Sequence, residues 1–418
     1  MPATRARLRE LAGLFLKLGF TAFGGPAAHV AMMEHEVVVR RGWMTREEFL
    51  DLLGATNLMP GPVSTKMSLF VGHVRAGFAG LVVAGLSFIL PAAAIVLAFS
   101  WAYVRFGSLP AMPHFFEGIK PVVLALIAQA IASLGRTAVK SRFLLALGAA
   151  AFVAAFFAHE FVLLLLAGCV SVGGMAIEDL LRRGRGAGAQ APAEQSGGRG
   201  SDESAGGAAA GADLARGGSA HPSSPSKKSS SLFFSPLLFS PAAISSSFSL
   251  PGLFLFFLKT GAILFGSGYV LLAFLKNDLV GRWHWLTNAQ LLDAVAVGQF
   301  TPGPLSATAT FIGYLLAGPA GAAVATAGIF LPSFAYAAVC GPFVPRLRAS
   351  RALGSFLDGV NVGALALMGG VTLELTHSAI VSVPTAAVFL ASVAALSVAR
   401  LNAAWLVLAG GLLGIALG

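Results

Sequence analysis

Residues 57–66 read NLMPGPVSTK, and residues 299–308 read QFTPGPLSAT. A Pro-Gly-Pro triplet thus recurs in the same setting, at an offset of 242 positions. Proline has no N–H and pushes the residue before it out of helical geometry. It also suits the first turn of a new helix. The triplets therefore predict two helix breaks. Gly61 and Gly303 turn the chain, and Pro62 and Pro304 start new helices. The freed backbone groups cannot face lipid, so they face protein or a water-filled cavity.

Lipid is the expected surroundings. The 418 residues are 56% hydrophobic and 11% charged, with a mean hydropathy of +0.80. An ordinary soluble domain has about 25% charged residues. The stretch LVVAGLSFILPAAAIVLAFSWAYV after Gly80 and the stretch LNAAWLVLAGGLLGIAL at 401–417 are apolar windows of crossing length, since a bilayer takes roughly 20 apolar residues. The composition predicts a multi-pass membrane protein. The net charge of +10 does not imply nucleic acid, because the basic residues cluster between apolar runs, as cytoplasmic loops do. The start, MPATRARLRELAGLFLKLGF, reads as a mature N-terminus. Cys169 and Cys340 are the only cysteines, one per half. They are expected to be small buried apolar residues rather than a disulfide or metal pair.

The triplets belong to a longer repeat. LKLGFTAFGG at 16–25 matches LKTGAILFGS at 258–267, and WMTREEFLDLLGATNLMPGPVS at 43–64 matches WLTNAQLLDAVAVGQFTPGPLS at 285–306. One residue is then lost. At the new offset Ala76-Gly77 matches Ala317-Gly318, Leu90-Pro91 matches Leu331-Pro332, and FFEGIK at 115–120 matches FLDGVN at 356–361. The expected organisation is a first repeat over 1–180, a disordered Gly/Ala/Ser-rich linker over 181–231, a candidate extra crossing over 232–250, and a second repeat over 251–418. Each repeat is expected to end in a plain packing hairpin, one around His159-Glu160 and one around Arg400.

Equivalent loops swap their basic bias. Arg105 stands alone where the second copy has Arg346, Arg348 and Arg351. Arg136, Lys140 and Arg142 answer to a stretch, 377–383, without Lys or Arg. The N-terminal Arg5, Arg7 and Arg9 have no counterpart just before Leu253. Basic loops stay inside, so the two copies are expected to sit in opposite orientations. The predicted fold is an all-α polytopic membrane protein of two inverted helical repeats, whose broken helices meet near the membrane midplane.

The first N–H groups of a helix carry partial positive charge and suit an anion. After the triplets come Ser64, Thr65 and Lys66 in one copy, and Ser306 and Thr308 in the other. Pro60, Gly61, Pro62, Pro302, Gly303 and Pro304 therefore frame a candidate oxyanion site with these hydroxyls and one cation. A packing kink is the plainer alternative. Gly24, Gly25 and Pro26, answered by Gly266 and Ser267 with Gly268, make a second interruption in each half. Close helix packing through small residues explains those equally well.

Charges beside apolar segments are costly and functional by default. Lys17 and Lys259 match across the repeat, as do Asp51 and Asp293, and Glu117 and Asp358 match by type. The lysines attract an anion or snorkel. The carboxylates carry a coupled proton, cap helices or pair with lysine. Glu34, Glu36, Arg40 and Arg41 lie in HVAMMEHEVVVRRGW at 29–43, which carries His29 and His35 but no HExxH. No metal is expected there, and an ion-paired segment at the membrane surface is. Arg40 and Arg41 are candidates for an anion entrance. No Walker loop, nucleophile elbow or Cys-x-x-Cys occurs, so neither an enzyme nor a cofactor is expected.

Together these residues resemble the chromate ion transporter family in its two-domain, long-chain form. The resemblance rests on FGGPAAHVAMMEHEVVVRRGWMTREEFLDLLGATNLMPGPVSTK, GHVRAGFAG and FILP in the first copy, and on TPGPLS, FIGYLLAG and FLDGVNVGAL in the second. It implies export of chromate across the bacterial inner membrane, driven by membrane potential or a proton gradient, with sulfate as a close mimic. Transport of sulfate or another tetrahedral oxyanion, or a passive anion channel, are the alternatives. The partners are then the oxyanion and membrane lipid, with a homodimer as a candidate assembly. The copies differ where Leu271 replaces His29, and where Lys276 and Asp278 stand for Glu34 and Glu36.

Overall fold

The computed structural model describes residues 2–23, 25–107, 109, 111–188, 248–265, 268–340, 350–399, 401 and 403–417. Gly24, Gly266, Ser267, Arg400 and most of the expected linker and extra crossing lie outside the described residues. The described elements are all helical.

The first half runs α1 (Pro2–Thr21), α2 (Gly25–Glu34), a π turn (His35–Arg40), α3 (Arg46–Asn57), α4 (Val63–Phe106), α5 (Ala111–Ala138), α6 (Arg142–Ala154) and α7 (Glu160–Gly188). The second half runs α8 (Leu250–Ile263), α9 (Leu271–Phe274), a π turn (Leu275–Arg282), α10 (Asn288–Phe300), α11 (Thr308–Cys340), α12 (Arg351–Ala379), α13 (Val383–Ala394) and α14 (Ala403–Leu417). The same capping box opens α3 and α10. Thr45 accepts from the Glu48 N–H, and Thr287 accepts from the Gln290 N–H, with the Glu48 and Gln290 side chains reaching back.

The longest helix in each half is a folded pair. Helix α4 reverses at Ala76 (φ −147°, ψ 28°) and Gly77 (φ 61°, ψ −150°), and α11 reverses at Ala317 (φ −150°, ψ 29°) and Gly318 (φ 61°, ψ −152°). Gly72 then lies against Gly80 and Ala84, and Leu69 against Gly85. A straight helix would hold Leu69 and Gly85 about 24 Å apart. Gly313 meets Gly321 and Ala325 in the same way. Each Pro-Gly-Pro break therefore opens a short arm that doubles back before a long apolar arm leaves.

Among the described residues five helices are long and apolar enough to cross a membrane: Val63–Phe106, Met112–Ala138, Glu160–Glu178, Leu305–Val339 and Arg351–Ala379. Large apolar side chains such as Phe157, Val383, Val398 and Trp405 stand exposed on the outside. That surface suits lipid and would be unfavourable in water. The chain is a multi-pass membrane protein. Cys169 is exposed on α7, beside Leu165, Leu166 and Val170. The expectation of a buried thiol fails there, because that face of α7 points away from the protein. Cys340 is the last residue of α11.

Candidate functional site

The breaks dock on one another across the repeat. The Gly61 N–H donates to the Leu264 carbonyl at 2.6 Å, and the Gly303 N–H donates to the Ala22 carbonyl at 2.8 Å. Ala22 and Leu264 are equivalent positions, each at the end of the helix that precedes the Gly-rich interruption. Each triplet thus supplies the missing donor for the other half's broken helix. Both glycines need their freedom. Gly61 has φ 107° and Gly303 φ 93°, where side-chain-bearing residues are strained. A Cβ on Gly61 would also collide with Ser333, and one on Gly303 with Ala92.

Helix α4 starts beyond Pro62 (φ −63°, ψ 125°), and the turn before α11 starts beyond Pro304 (φ −68°, ψ 131°). Gly61, Pro62, Ser64, Thr65, Lys66, Pro302, Gly303, Pro304, Ser306 and Thr308 are all buried. Pro60 is half-buried, as are Gly25 and Pro26 at the first interruption. Thr308 is occupied, its hydroxyl donating to the Leu305 carbonyl at 2.8 Å. The hydroxyls of Thr65, Ser306 and Ser333 are buried with no hydrogen-bond partner.

Lys66 is the central charge. Its side chain is 1% exposed. Nζ donates to the carbonyls of Thr56, at 2.5 Å, and Met59, both in the chain leading into the break. An ammonium has three donors, so one remains. No carboxylate pairs with Lys66 among the described residues. A buried cation without a counter-ion is costly unless a ligand supplies the opposite charge. The Ser333 hydroxyl is placed beside the same turn. At the second break Thr308 stands for Lys66 and Ala92 for Ser333, so the two ends are chemically unequal. The second end carries Tyr269 instead, whose hydroxyl donates to Gln299 Oε1 at 3.2 Å. A cavity of about 10 Å³ lies there, lined in part by Gly268, Tyr269, Leu305 and Thr308. It is room for about one water.

Lys17 and Lys259 are both engaged in ion clusters. Lys17 Nζ lies 2.7 Å from Glu36, which also takes Arg40 at 2.9 Å and Arg41 at 3.5 Å. The hydrogen bond from Lys17, helped by Arg40, holds the Glu36 carboxyl at about 2, against the desolvation that opposes it. Its stabilising effect is full above the ordinary carboxylate range and is lost only as pH falls towards that value. In the second copy Lys259 lies 3.5 Å and Arg282 3.3 Å from Asp278. The Asp278 substitution therefore keeps the cluster that Glu36 makes. Each π turn sets its acid and its arginine four residues apart on one face.

The other charged candidates are scattered. Glu34 pairs with Arg46 at 3.0 Å. Asp51 and Glu117 are exposed, and Asp358 pairs with Lys140 at 2.6 Å. Asp293 alone among these five carboxylates is buried, at 5% exposure. Its Oδ2 accepts from the Tyr103 hydroxyl at 2.9 Å, and Oδ1 has no partner. Sequence reading missed Ser333, Tyr103, Tyr269 and Gln299; the fold brings Ser333 to the first break, Tyr269 to Gln299 beside the second, and Tyr103 to Asp293. It also took His159 and Glu160 for a plain hairpin tip. Glu160 is buried, and both lie against Asp278 of the other half.

Broken helices that meet beside a buried lysine, in a multi-pass helical protein, fit the plan of a membrane transporter. Comparison with known proteins agrees. The family model described as "Chromate transporter" matches residues 9–173 and 252–415. The chain belongs to the chromate transporter family. A chromate transport protein of Cupriavidus metallidurans is 32% identical over 93% of this chain and 88% of its own length. One of Pseudomonas aeruginosa is 31% identical over 97% and 91%. A probable chromate transport protein of Synechococcus elongatus is 30% identical over 90% and 87%. No solved structure matches the chain.

Proposed function

We propose that this protein is a secondary active transporter that exports chromate across the bacterial inner membrane, using the membrane potential or a proton gradient. The observation that carries the reading is Lys66, a buried cation with a spare donor and no carboxylate partner, at a helix start flanked by unpaired hydroxyls. A tetrahedral dianion answers each of these needs at once. Its charge compensates Lys66 and its oxygens accept from Thr65 and Ser333. The N–H groups at the start of α4 complete the shell.

The two repeats are then an inverted pair. Support comes from contacts between halves. The reciprocal Gly61–Leu264 and Gly303–Ala22 bonds join equivalent positions, as a pseudo-two-fold axis through the breaks requires. Lys140, in a loop rich in basic residues, meets Asp358 near the start of α12. Tyr103, near the far end of α4, meets Asp293 near the start of α10. Alternating access would rock one repeat against the other around this axis. Asp293, buried with one free carboxylate oxygen, is the group suited to carry a coupled proton.

The test is chromate flux into inside-out vesicles, with sulfate and molybdate as competitors, under separately imposed voltage and pH gradients. Uphill chromate movement supports the reading. Movement that is only downhill assigns a channel, and movement of sulfate in preference to chromate assigns another oxyanion.

A further inference from the structure

The two helices that lead into the breaks are equivalent in sequence and unequal in burial. In α3, Glu47, Leu50 and Asp51 share one helix face. All three are exposed, Leu50 at 47%. Their counterparts in α10, 242 positions on, are Ala289, Leu292 and Asp293. Leu292 is fully buried, and so is its surroundings, since residues 291–298 are all buried. Packing makes the difference. Helix α10 lies against α5, α11, α12 and α14, whereas α3 packs mainly on α4. One face of the repeat unit is thus covered in the second copy and bare in the first. Two carboxylates on the bare face make it a surface for water rather than lipid.

The covered and bare helices start at opposite faces of the molecule. Arg75, at the reversal of α4, pairs with Glu10 at 3.0 Å and lies over the Trp43 ring, as Arg41 does. The start of α3 therefore lies at the face that carries Arg5, Arg7 and Arg9, the cytoplasmic face if basic segments stay inside. The second arm of α4, residues 78–106, is about 43 Å long at the helical rise, enough to carry Tyr103 to the other face. There the Tyr103 hydroxyl donates to Asp293 at 2.9 Å, and its ring meets Phe116 of α5 edge-on, with centroids 4.9 Å apart.

We propose that α3 is the cytoplasmic gate of the transporter, open in this conformer, and that α10 with Tyr103 is the outer gate, closed. This rests on the inverted-repeat transporter reading. In the opposite state the two copies exchange roles. Helix α10 leaves α5, and α3 lays its Glu47, Leu50 and Asp51 face on the start of α12. Leu357 and Asn361 stand there for Phe116 and Lys120 of α5. The gates are unequal. Val344 stands for Tyr103, so the cytoplasmic gate lacks the phenol–carboxylate bond that holds the outer one. The cytoplasmic gate is instead tied to the proposed anion site. Thr56, in the last turn of α3, and Met59, just beyond it, supply the carbonyls that hold Lys66. Filling the site and swinging α3 are joined through that one side chain.

The experiment labels single cysteines with a membrane-impermeant maleimide, in right-side-out and inside-out vesicles, in the full chain carrying Cys169→Ala and Cys340→Ala. Leu50→Cys is expected to react from the cytoplasmic side alone, and Leu292→Cys from neither side. Chromate on the cytoplasmic side is expected to slow the labelling of Leu50→Cys. Tyr103→Phe removes the outer hydrogen bond. It is expected to raise the labelling of Leu292→Cys from the outer side about tenfold, the scale of one hydrogen bond to a charged group. Oxidation of Asp51→Cys with Asn361→Cys is expected to cross-link the closed cytoplasmic gate and to stop transport until a reductant is added. A Leu50→Cys that is unreactive, reactive from outside or indifferent to chromate would overturn the gate. So would a Leu292→Cys unmoved by Tyr103→Phe, or an Asp51→Cys and Asn361→Cys pair that never cross-links. If Leu292→Cys fails to insert, Ala296→Cys, also on the covered helix and 2% exposed, takes its place. Chromate flux by the cysteine-free parent tests the transporter reading separately. Absence of uphill flux would overturn that reading, whereas uphill flux with the wrong labelling pattern would overturn the gate alone.

Discussion

At the scale of single residues, the proposed chemistry turns on position 66. Lys66→Ala removes the donor shared by the Thr56 and Met59 carbonyls and empties a filled space. The Thr56 carbonyl keeps the Met59 N–H at 3.3 Å, so the Met59 carbonyl is the acceptor left unmet, at a cost of about 1–3 kcal/mol. Chromate transport is expected to be abolished, with a lowered melting temperature in detergent. Ser333→Ala is the sharper variant, because Ser333 has no partner to lose. It is expected to weaken chromate binding by about 10-fold, the scale of one hydrogen bond to a charged group, with the melting temperature unchanged. Titration of purified protein with chromate checks both. Lys66 was legible in the sequence, because it follows a helix break in an apolar stretch. Ser333 was not. It lies on the long arm of α11, and nothing local marks it. Only the reversal at Gly318 and the docking of the breaks bring it to Gly61. Glu36 was legible as a charge but not as the hub of a cluster, since Lys17 lies on another helix.

Elements were readable where backbone chemistry is written into residue type. Pro-Gly-Pro gave the breaks, and the Thr-x-x-Glu and Thr-x-x-Gln boxes that open α3 and α10 carry the same kind of signal, although only the structure brought them out. The Ala-Gly reversals were visible only as matched residues. A helix continues through Ala and Gly as easily as it turns there, so the hairpins needed the fold. Gly77 and Gly318 take a conformation that is nearly confined to glycine. Gly77→Ala together with Gly318→Ala is therefore expected to cost about 1–3 kcal/mol per site. A lowered melting temperature in detergent checks it. Gly72→Leu is expected to be worse, because Gly72 packs on the Gly80 backbone. Loss of the monodisperse peak in size-exclusion chromatography is the expected sign.

At the scale of the whole molecule, the repeat was plain from the sequence, whereas the contacts that join its halves were not. Equivalent residues need not touch. The reciprocal bonds instead join Gly61 to Leu264 and Gly303 to Ala22, which no alignment of the copies shows. The Lys140–Asp358 pair reports on the same interface. Lys140→Asp is expected to slow transport, and Lys140→Asp with Asp358→Lys is expected to recover most of it, as a contact across the halves requires. The first docking element is the pair of breaks, so the most direct test is uphill chromate accumulation in energised inside-out vesicles by wild type and by Pro62→Ala with Pro304→Ala. Wild type is expected to accumulate chromate, and the double variant, inserted to the same level, is expected to accumulate none. Full accumulation by the double variant would reduce the breaks to kinks and contradict the account.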